Sequence, residues 1–544
     1  MKHAHATARR WAASRTAVRI GCLLWALAAP LGAQLTTLGL TTEGAQWLDN
    51  DYPIDSERAD GRFGEALAVG DFNGDGVDDL ATGIPNDFAI VRAGAVLVRY
   101  GKRQSARLEP QQDADLIRQS LDVAQSGDRF GHALAAGDFD GDGFDDLAVG
   151  VPLQGASNRG AVVIYHGSIL GLNPNEYEAL DELLAGGAAH VCTGGGDSDG
   201  GFFGDALAAG NFDGDAYDDL AIGASNACES HDSQRHGGAV YVAHGTAQGL
   251  EPFYGYRISQ DSPGIFDTVE NGDSFGRSLA VGDFDADGFD DLATGVPWEN
   301  AATGAVEIIM GSPWGLIFAD SAFWLPGALG EMPENNDELG WALGAGDFDG
   351  DGYDDLAIGS PFEDLGPGTS DTGSIDVAYG GADGFDLSRT DHLAQSTIYG
   401  NPAHDGAGDY FGWAFAVGDF DADGRDDLAI GHYLDDWAGP DLGAVTLLMG
   451  AVPTIGSSTR HYLVGVGWEG VPGDASQPGQ HAGTALAAGD FDGSGRPDLA
   501  IGVPRYDLGS QVDAGADVVL YSERKLFADA FESGFLASWS AIFH

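Results

Sequence analysis

The sequence predicts an all-β fold: a seven-bladed β-propeller of four-stranded blades, closed by an N-terminal strand. Three observations predict it. A nine-residue acidic loop returns seven times, starting at Asp71, Asp138, Asn211, Asp283, Asp347, Asp419 and Asp490, at steps of 67, 73, 72, 64, 72 and 71 residues. Each copy stands between a Phe-Gly segment with small apolar residues and an Asp-Leu-Ala-x-Gly segment followed by β-formers. The seventh unit runs out of strands at Tyr521, and Ala45-Gln46-Trp47-Leu48-Asp49, upstream of the first unit, can supply the missing one. A repeat of this length decides the architecture before any local propensity does.

The chain divides into three parts: an export signal over 1–33, the propeller over 34–525 and a tail over 526–544. In the first part, Arg9, Arg10, Arg15 and Arg19 precede an apolar run from Ile20 to Leu31, with Gly32-Ala33 as the cutting region. That pattern reads as a signal peptide, and the run is too short for a comfortable membrane span. Arg9-Arg10-Trp11 also hints at a twin-arginine signal.

Within each unit the elements follow one order. A Phe-Gly segment such as Phe63 to Gly70 gives the first strand, and the stretch from Leu80 to Pro85 gives the second. Alternating β-formers from Gly94 to Gly101 give the third, and a weaker apolar stretch before the next Phe-Gly gives the fourth. Four short strands bounded by glycine-rich turns make a blade.

The loop between the first two strands has the spacing of a hard-cation site. In the first copy Asp71, Asn73 and Asp75 converge at positions 1, 3 and 5, Gly76 permits the sharp turn, the Val77 carbonyl faces inward and Asp79 closes the shell. The second copy offers Asp138, Asp140, Asp142, Phe144 and Asp146, and the third Asn211, Asp213, Asp215, Tyr217 and Asp219. The fourth offers Asp283, Asp285, Asp287, Phe289 and Asp291, and the fifth Asp347, Asp349, Asp351, Tyr353 and Asp355. The sixth has Asp419, Asp421, Asp423, Arg425 and Asp427, and the seventh Asp490, Asp492, Ser494, Arg496 and Asp498. Donors made of oxygen alone favour Ca²⁺ over zinc or copper, and Mg²⁺ fits less well because it holds its waters. Up to seven structural Ca²⁺ ions are expected, loops one, two, four, five and six filling first. Loop three has Asn211 at position 1 and Ala216 for the turn glycine, and loop seven has Ser494 for a carboxylate. One such loop alone is ordinary turn chemistry; seven in register are not. An EF-hand is excluded, because position 12 is Thr82, Val149, Ile222 or a similar residue instead of Glu.

The Phe-Gly start, the acidic loop and the Gly-x-Pro end together resemble FG-GAP repeats, as in the N-terminal propeller of integrin α-subunits. The resemblance covers Trp47 to Tyr521. Phe-Gly becomes Leu339-Gly340 and Ala482-Gly483 in units five and seven, and Gly-x-Pro becomes Gly223-Ala224-Ser225 and Gly431-His432-Tyr433 in units three and six. The resemblance implies seven blades with ions in the loops joining strands one and two. It does not by itself transfer adhesion.

Composition excludes several classes. The net charge is −60, and removing the five Lys/Arg of the signal from 25 leaves 20 bases against 85 acids. Such a surface repels phosphates and anionic lipid, so neither nucleic acid nor a membrane surface is an expected partner. Disorder is excluded because 43% of residues are hydrophobic and recur in order. Loss of the signal removes Cys22 and leaves Cys192 and Cys228, both in unit three. An even pair in an exported chain suggests a disulfide, with two free thiols as the alternative. The tail, from Phe527 to Gly534 with Ser538-Trp539-Ser540, resembles short tails of exported bacterial proteins, and sorting, anchoring and fraying are all open to it.

No catalytic motif is found: there is no Gly-x-Ser-x-Gly elbow, no His-Glu-x-x-His and no phosphate-binding loop. His132, His166, His244 and His432 are scattered among strands and turns, where packing explains them. The expected function is a secreted or surface-exposed calcium-binding propeller, monomeric and without a transmembrane anchor. It would act as a binding or adhesion module for an extracellular protein or glycan. A polysaccharide-active enzyme (lyase or glycosidase) or a lectin on the face opposite the loops is the alternative. Convergent His, Tyr, Arg and Glu there would favour the enzyme, and a repeated aromatic platform the lectin.

Overall fold

The computed structural model describes residues 40–522 apart from 50–59, 88–92, 104–107, 109–113, 120–123, 156–157, 182–200, 229–235, 252–256, 266–267, 331–333, 367–369, 437–439, 468–470 and 509–511. The expected export signal, the tail and Cys192 lie outside the described residues.

The described residues form seven four-stranded antiparallel sheets; six are meanders in which neighbours in sequence are neighbours in space, and the seventh takes one strand from the N-terminal end. In blade one the strands are Leu67–Gly70, Asp79–Ile84, Ala95–Arg99 and Asp115–Arg118. The first strands of successive blades adjoin all the way round, blade seven to blade one included. Burial explains the residue patterns. Asp79–Ile84 and Ala95–Arg99 are buried at every position, because a neighbouring blade covers each face, whereas Leu67–Gly70 alternates half-buried and buried. The core lies between blades: Phe72, Val96 and Val98 of blade one pack with Leu147, Val149 and Tyr165 of blade two. Among the described residues, no helix is long and apolar enough to cross a membrane.

The Phe-Gly signature is a seam between blades. Phe63, Phe130, Phe203, Phe275 and Phe411 are fully buried, as are their replacements Leu339 and Ala482. Each pairs in parallel with the glycine that opens the third strand of the preceding blade, as Gly94 with Phe130 and Gly515 with Phe63. Gly94 has φ +101°, and a Cβ there would lie 2.2 Å from the Phe130 carbonyl oxygen, so only glycine fits.

The seventh sheet is completed from the other end of the chain. Leu40–Asp49 pairs antiparallel with Ala516–Ser522, Trp47 opposite Val518 and Asp49 opposite Ala516. The strand begins five residues before the expected Ala45, with a register break between Thr41 and Gln46. Trp47 meets Tyr506 edge-on at 4.4 Å. Ala516–Ser522 is thereby paired on both sides, and Leu40–Asp49 becomes the outer strand of the seventh sheet.

Candidate metal centres

Each acidic loop is a tight turn held by its own carboxylates. Positions 4 and 6 take left-handed backbone, as at Gly74 (φ 67°) and Gly76 (φ 77°); Ala286 and Ala422 do so at position 4 in loops four and six. The Asp71 carboxylate accepts the N–H of Asp75 at 3.0 Å and of Gly76 at 2.8 Å. Asp138, Asp283, Asp347, Asp419 and Asp490 repeat this pair of bonds. Loop three departs from it. The Asn211 amide donates to the Asp215 carbonyl at 3.0 Å, and Ala216 does not take the left-handed turn.

Position 9 is fixed from both sides. One Asp79 oxygen accepts the Gly101 N–H at 2.8 Å, and the equivalent bond recurs in all seven blades, ending with Ser522 on Asp498 at 2.6 Å. In loops three to seven the other oxygen accepts the N–H of the position-2 residue, as Phe284 on Asp291 at 2.9 Å. The seven aspartates are buried. Burial above all, with neighbouring loop carboxylates adding to it against the donated N–H groups, pushes Asp79, Asp355, Asp427 and Asp498 up to about 8 and Asp291 up to about 7.

The carboxylates converge as the spacing requires. Oxygens of Asp138, Asp140 and Asp142 lie within 4.8 Å of one another, and so do those of Asp283, Asp285 and Asp291. A donor set of oxygens this close, partly buried and self-repelling, fits a hard divalent cation. The position-7 side chains do something else. Phe144 packs on Gly74 of the preceding loop, Tyr217 on Gly141 and Phe289 on Gly214, so the loops overlap like shingles.

Several groups reach these loops from distant strands, and the sequence reading missed them. The His166 imidazole lies 3.1 Å from Asp146 and 3.7 Å from Asp140, and its hydrogen bond to Asp146 raises it to about 9. His244 stands 3.2 Å from Asp219 in loop three. These two histidines serve the loops and not merely packing. Arg389 pairs with Asp349 and lies 3.8 Å from Asp351, and Arg460 pairs with Asp421 and lies 3.8 Å from Asp423. Loops five and six thus hold a full set of candidate ligands with a guanidinium already on it. In loop one the Asn73 amide nitrogen faces Asp79 at 3.1 Å, so its oxygen reaches an ion only with the amide turned over. In loop seven Ser494 Oγ lies 3.3 Å from Asp490.

Comparison with known proteins agrees with this geometry. The FG-GAP repeat model matches 63–98, 130–165, 203–242, 275–315, 339–377, 411–448 and 482–519, one match per blade. The chain is 34% identical over 161 residues to phosphatidylinositol-glycan-specific phospholipase D of Bos taurus, 29% of this chain and 18% of that protein. It is 35% identical over 188 residues to integrin alpha-PS2 of Drosophila melanogaster, 32% of this chain and 12% of the relative. With integrin alpha-5 of Xenopus laevis it shares 32% over 235 residues, 42% and 20% of the two chains. The chain therefore spans a fifth or less of the length of these three relatives. With one matched repeat in every blade, each carrying its buried seam residue and its acidic loop, the chain belongs to the FG-GAP repeat family and is integrin α-like in its propeller.

Proposed function

We propose that the protein is an exported, calcium-binding propeller that serves as a binding or adhesion module. The convergence of three carboxylates within 4.8 Å in loops two and four carries the calcium reading. In each loop positions 1, 3, 5 and 9 and the position-7 carbonyl would hold the ion. Its charge would neutralise carboxylates that otherwise repel and would fix the turn between the first two strands. The ring is closed by its own N-terminal strand, which supports a monomer. The similarity to integrin α chains supports a binding role, and the apolar run before Gly32 supports export.

The calcium reading is tested by calorimetry on the full chain after chelation. Uptake of several Ca²⁺ ions with a matching rise in melting temperature is expected; no uptake at loops two and four would sink it. Pairing of Cys192 with Cys228 belongs to the same proposal, supported by Cys228, which is buried and disulfide-bonded. Non-reducing peptide mapping should recover the two linked.

A second reading, a polysaccharide-active enzyme, is kept because relatives include an enzyme, phosphatidylinositol-glycan-specific phospholipase D. Incubating any glycan that binds with the protein, and looking for shortened products, separates the two.

A further inference from the structure

The residue after each Phe-Gly pair is free of any structural duty shared by the blades. It is Glu65, His132, Asp205 and Arg277 in blades one to four, then Trp341 and Trp413 in blades five and six. All six are half-buried, unlike the fully buried Phe or Leu two positions before each. The first strand runs from this point to the acidic loop, as Phe411–Gly418 does before Asp419. These residues therefore crown the inner strands on the face opposite the metal loops. Their neighbours around the ring touch. His132 Nε2 lies 3.2 Å from Asp205, the Arg277 guanidinium stands 4.7 Å over the Trp341 ring, and Trp341 and Trp413 are 4.8 Å apart.

The aromatic half is larger than two tryptophans. Tyr433 lies 4.1 Å from Trp413, Phe362 5.4 Å from Trp341 and Tyr410 5.2 Å from Phe362. All of these rings are half-buried. A half-buried cluster of this size, where blades one to four put ionisable groups and blade seven Thr484, is not needed to close a core.

The polar half pairs its charges on a chain that carries −60. His132 pairs with Asp205, which also accepts from Ser225 at 2.5 Å, and Arg62 pairs with Glu65 at 3.5 Å. An ionic ligand would ask for an excess of one sign. Paired donors and acceptors beside half-buried rings suit a molecule with hydroxyl groups on its edges and C–H bonds on its faces, since the face of an aromatic ring carries negative charge.

We propose that this face binds a neutral polysaccharide, with Trp341, Trp413 and Tyr433 stacking on pyranose rings and Arg277, Asp205 and His132 hydrogen-bonding the hydroxyls. The proposal rests on the binding-module reading and gives it a face and a ligand class.

The test titrates neutral hexasaccharides of β-1,4-linked glucose, mannose, xylose and N-acetylglucosamine into the calcium-loaded full chain, followed by calorimetry. At least one should bind, at least tenfold more weakly to Trp413→Ala and Trp341→Ala. Trp413→Tyr should keep most of the affinity. Trp314→Ala should bind as the parent does, because that exposed residue follows Gly311 and Ser312 on the metal-loop side. If Trp413→Ala fails to fold, saturation-transfer NMR on the parent reads whether aromatic protons touch the sugar. A glycan bound equally by both tryptophan variants overturns the face and leaves the binding module standing. Retention of proteins or acidic glycans alone overturns the ligand class only. Failure to retain any extracellular protein or glycan overturns the binding module itself.

Discussion

The Asp78 carboxylate closes the ring on Asp490: it accepts the Asp490 N–H at 2.7 Å, while the Asp490 carbonyl accepts the Asp78 N–H at 3.2 Å. Position 8 of five further loops makes the same two-way clasp to position 1 of the preceding blade. Asp145 holds Asp71, Asp218 holds Asp138, Asp290 holds Asn211, Asp354 holds Asp283 and Asp426 holds Asp347. At the junction of blades six and seven position 8 is Pro497, which has neither the carboxylate nor the N–H. Its ring sits against Gly418, where a Cβ would come within 3.0 Å. This eighth residue is thus an inter-blade clasp and stands apart from the candidate ligands.

Breaking a clasp leaves a backbone N–H at a blade seam without its partner. Asp145→Ala should cost about 1–3 kcal/mol, the penalty for such a group. Pro497→Asp should add the seventh clasp and raise the melting temperature. Thermal unfolding in saturating calcium checks both; an unchanged Asp145→Ala curve would show that the clasp contributes nothing.

Calcium should stabilise the fold site by site, each contributing about 2.7 kcal/mol at a hundredfold excess over Kd. Seven such contributions would exceed the ordinary stability of a domain, about 5–15 kcal/mol, so excess chelator should lower the melting temperature sharply. Loops two and four should fill before five and six, where Arg389 and Arg460 already sit on Asp349 and Asp421. Removing that competitor in Arg460→Ala should raise the affinity of loop six. Calorimetry showing weaker binding in the variant would mean that Arg460 positions the ligands instead.

The blades and the loops were legible in the sequence because their requirements are local. A left-handed turn needs glycine at position 6, and a buried seam needs Phe-Gly, so both recur at fixed spacing. The Asp78 clasp was not legible, since its partner Asp490 lies in another blade and a carboxylate in a loop looks the same whether it reaches across a seam or into solvent. His166 and Arg389 escaped for a related reason. They stand 20 and 40 residues beyond Asp146 and Asp349, past intervening strands of no fixed length. Trp341 and Trp413 were hidden by variation, because the position after Phe-Gly carries a different residue in almost every blade.

A pH response should come from the seam between blades seven and one. Burial pushes the Asp517 carboxyl up to about 7, against the Arg99 charge and the Thr82 hydroxyl bonded to it at 2.7 Å. The folded chain keeps this proton where the unfolded chain, near the ordinary value of 3.8, has lost it. The stability it gives is complete below about pH 4 and is lost as pH rises through about 7. In saturating calcium, which holds the loop carboxylates ionised, the melting temperature should fall from pH 5 to 8, and less so in Asp517→Asn. A parent curve that rises over this range would reverse the assignment.

The last junction depends on a strand far away in sequence. Asp49 is paired with Ala516, and its carbonyl accepts the buried Arg99 guanidinium at 2.9 Å, tying the N-terminal strand to blade one as well as blade seven. Tyr521 adds a hydrogen bond to Gln46 at 2.7 Å. Deleting 34–50 removes all three at once, strips Ala516–Ser522 of its outer neighbour and leaves Arg99 with less of its pairing. The opened blade then presents an unpaired strand edge, which invites association with other copies. The truncated chain should form soluble aggregates and melt lower, while deletion of 526–544 should change neither property. Size-exclusion chromatography of the two truncations decides it: a monomeric N-terminal deletion with the parent's melting curve would mean that the ring closes without this strand.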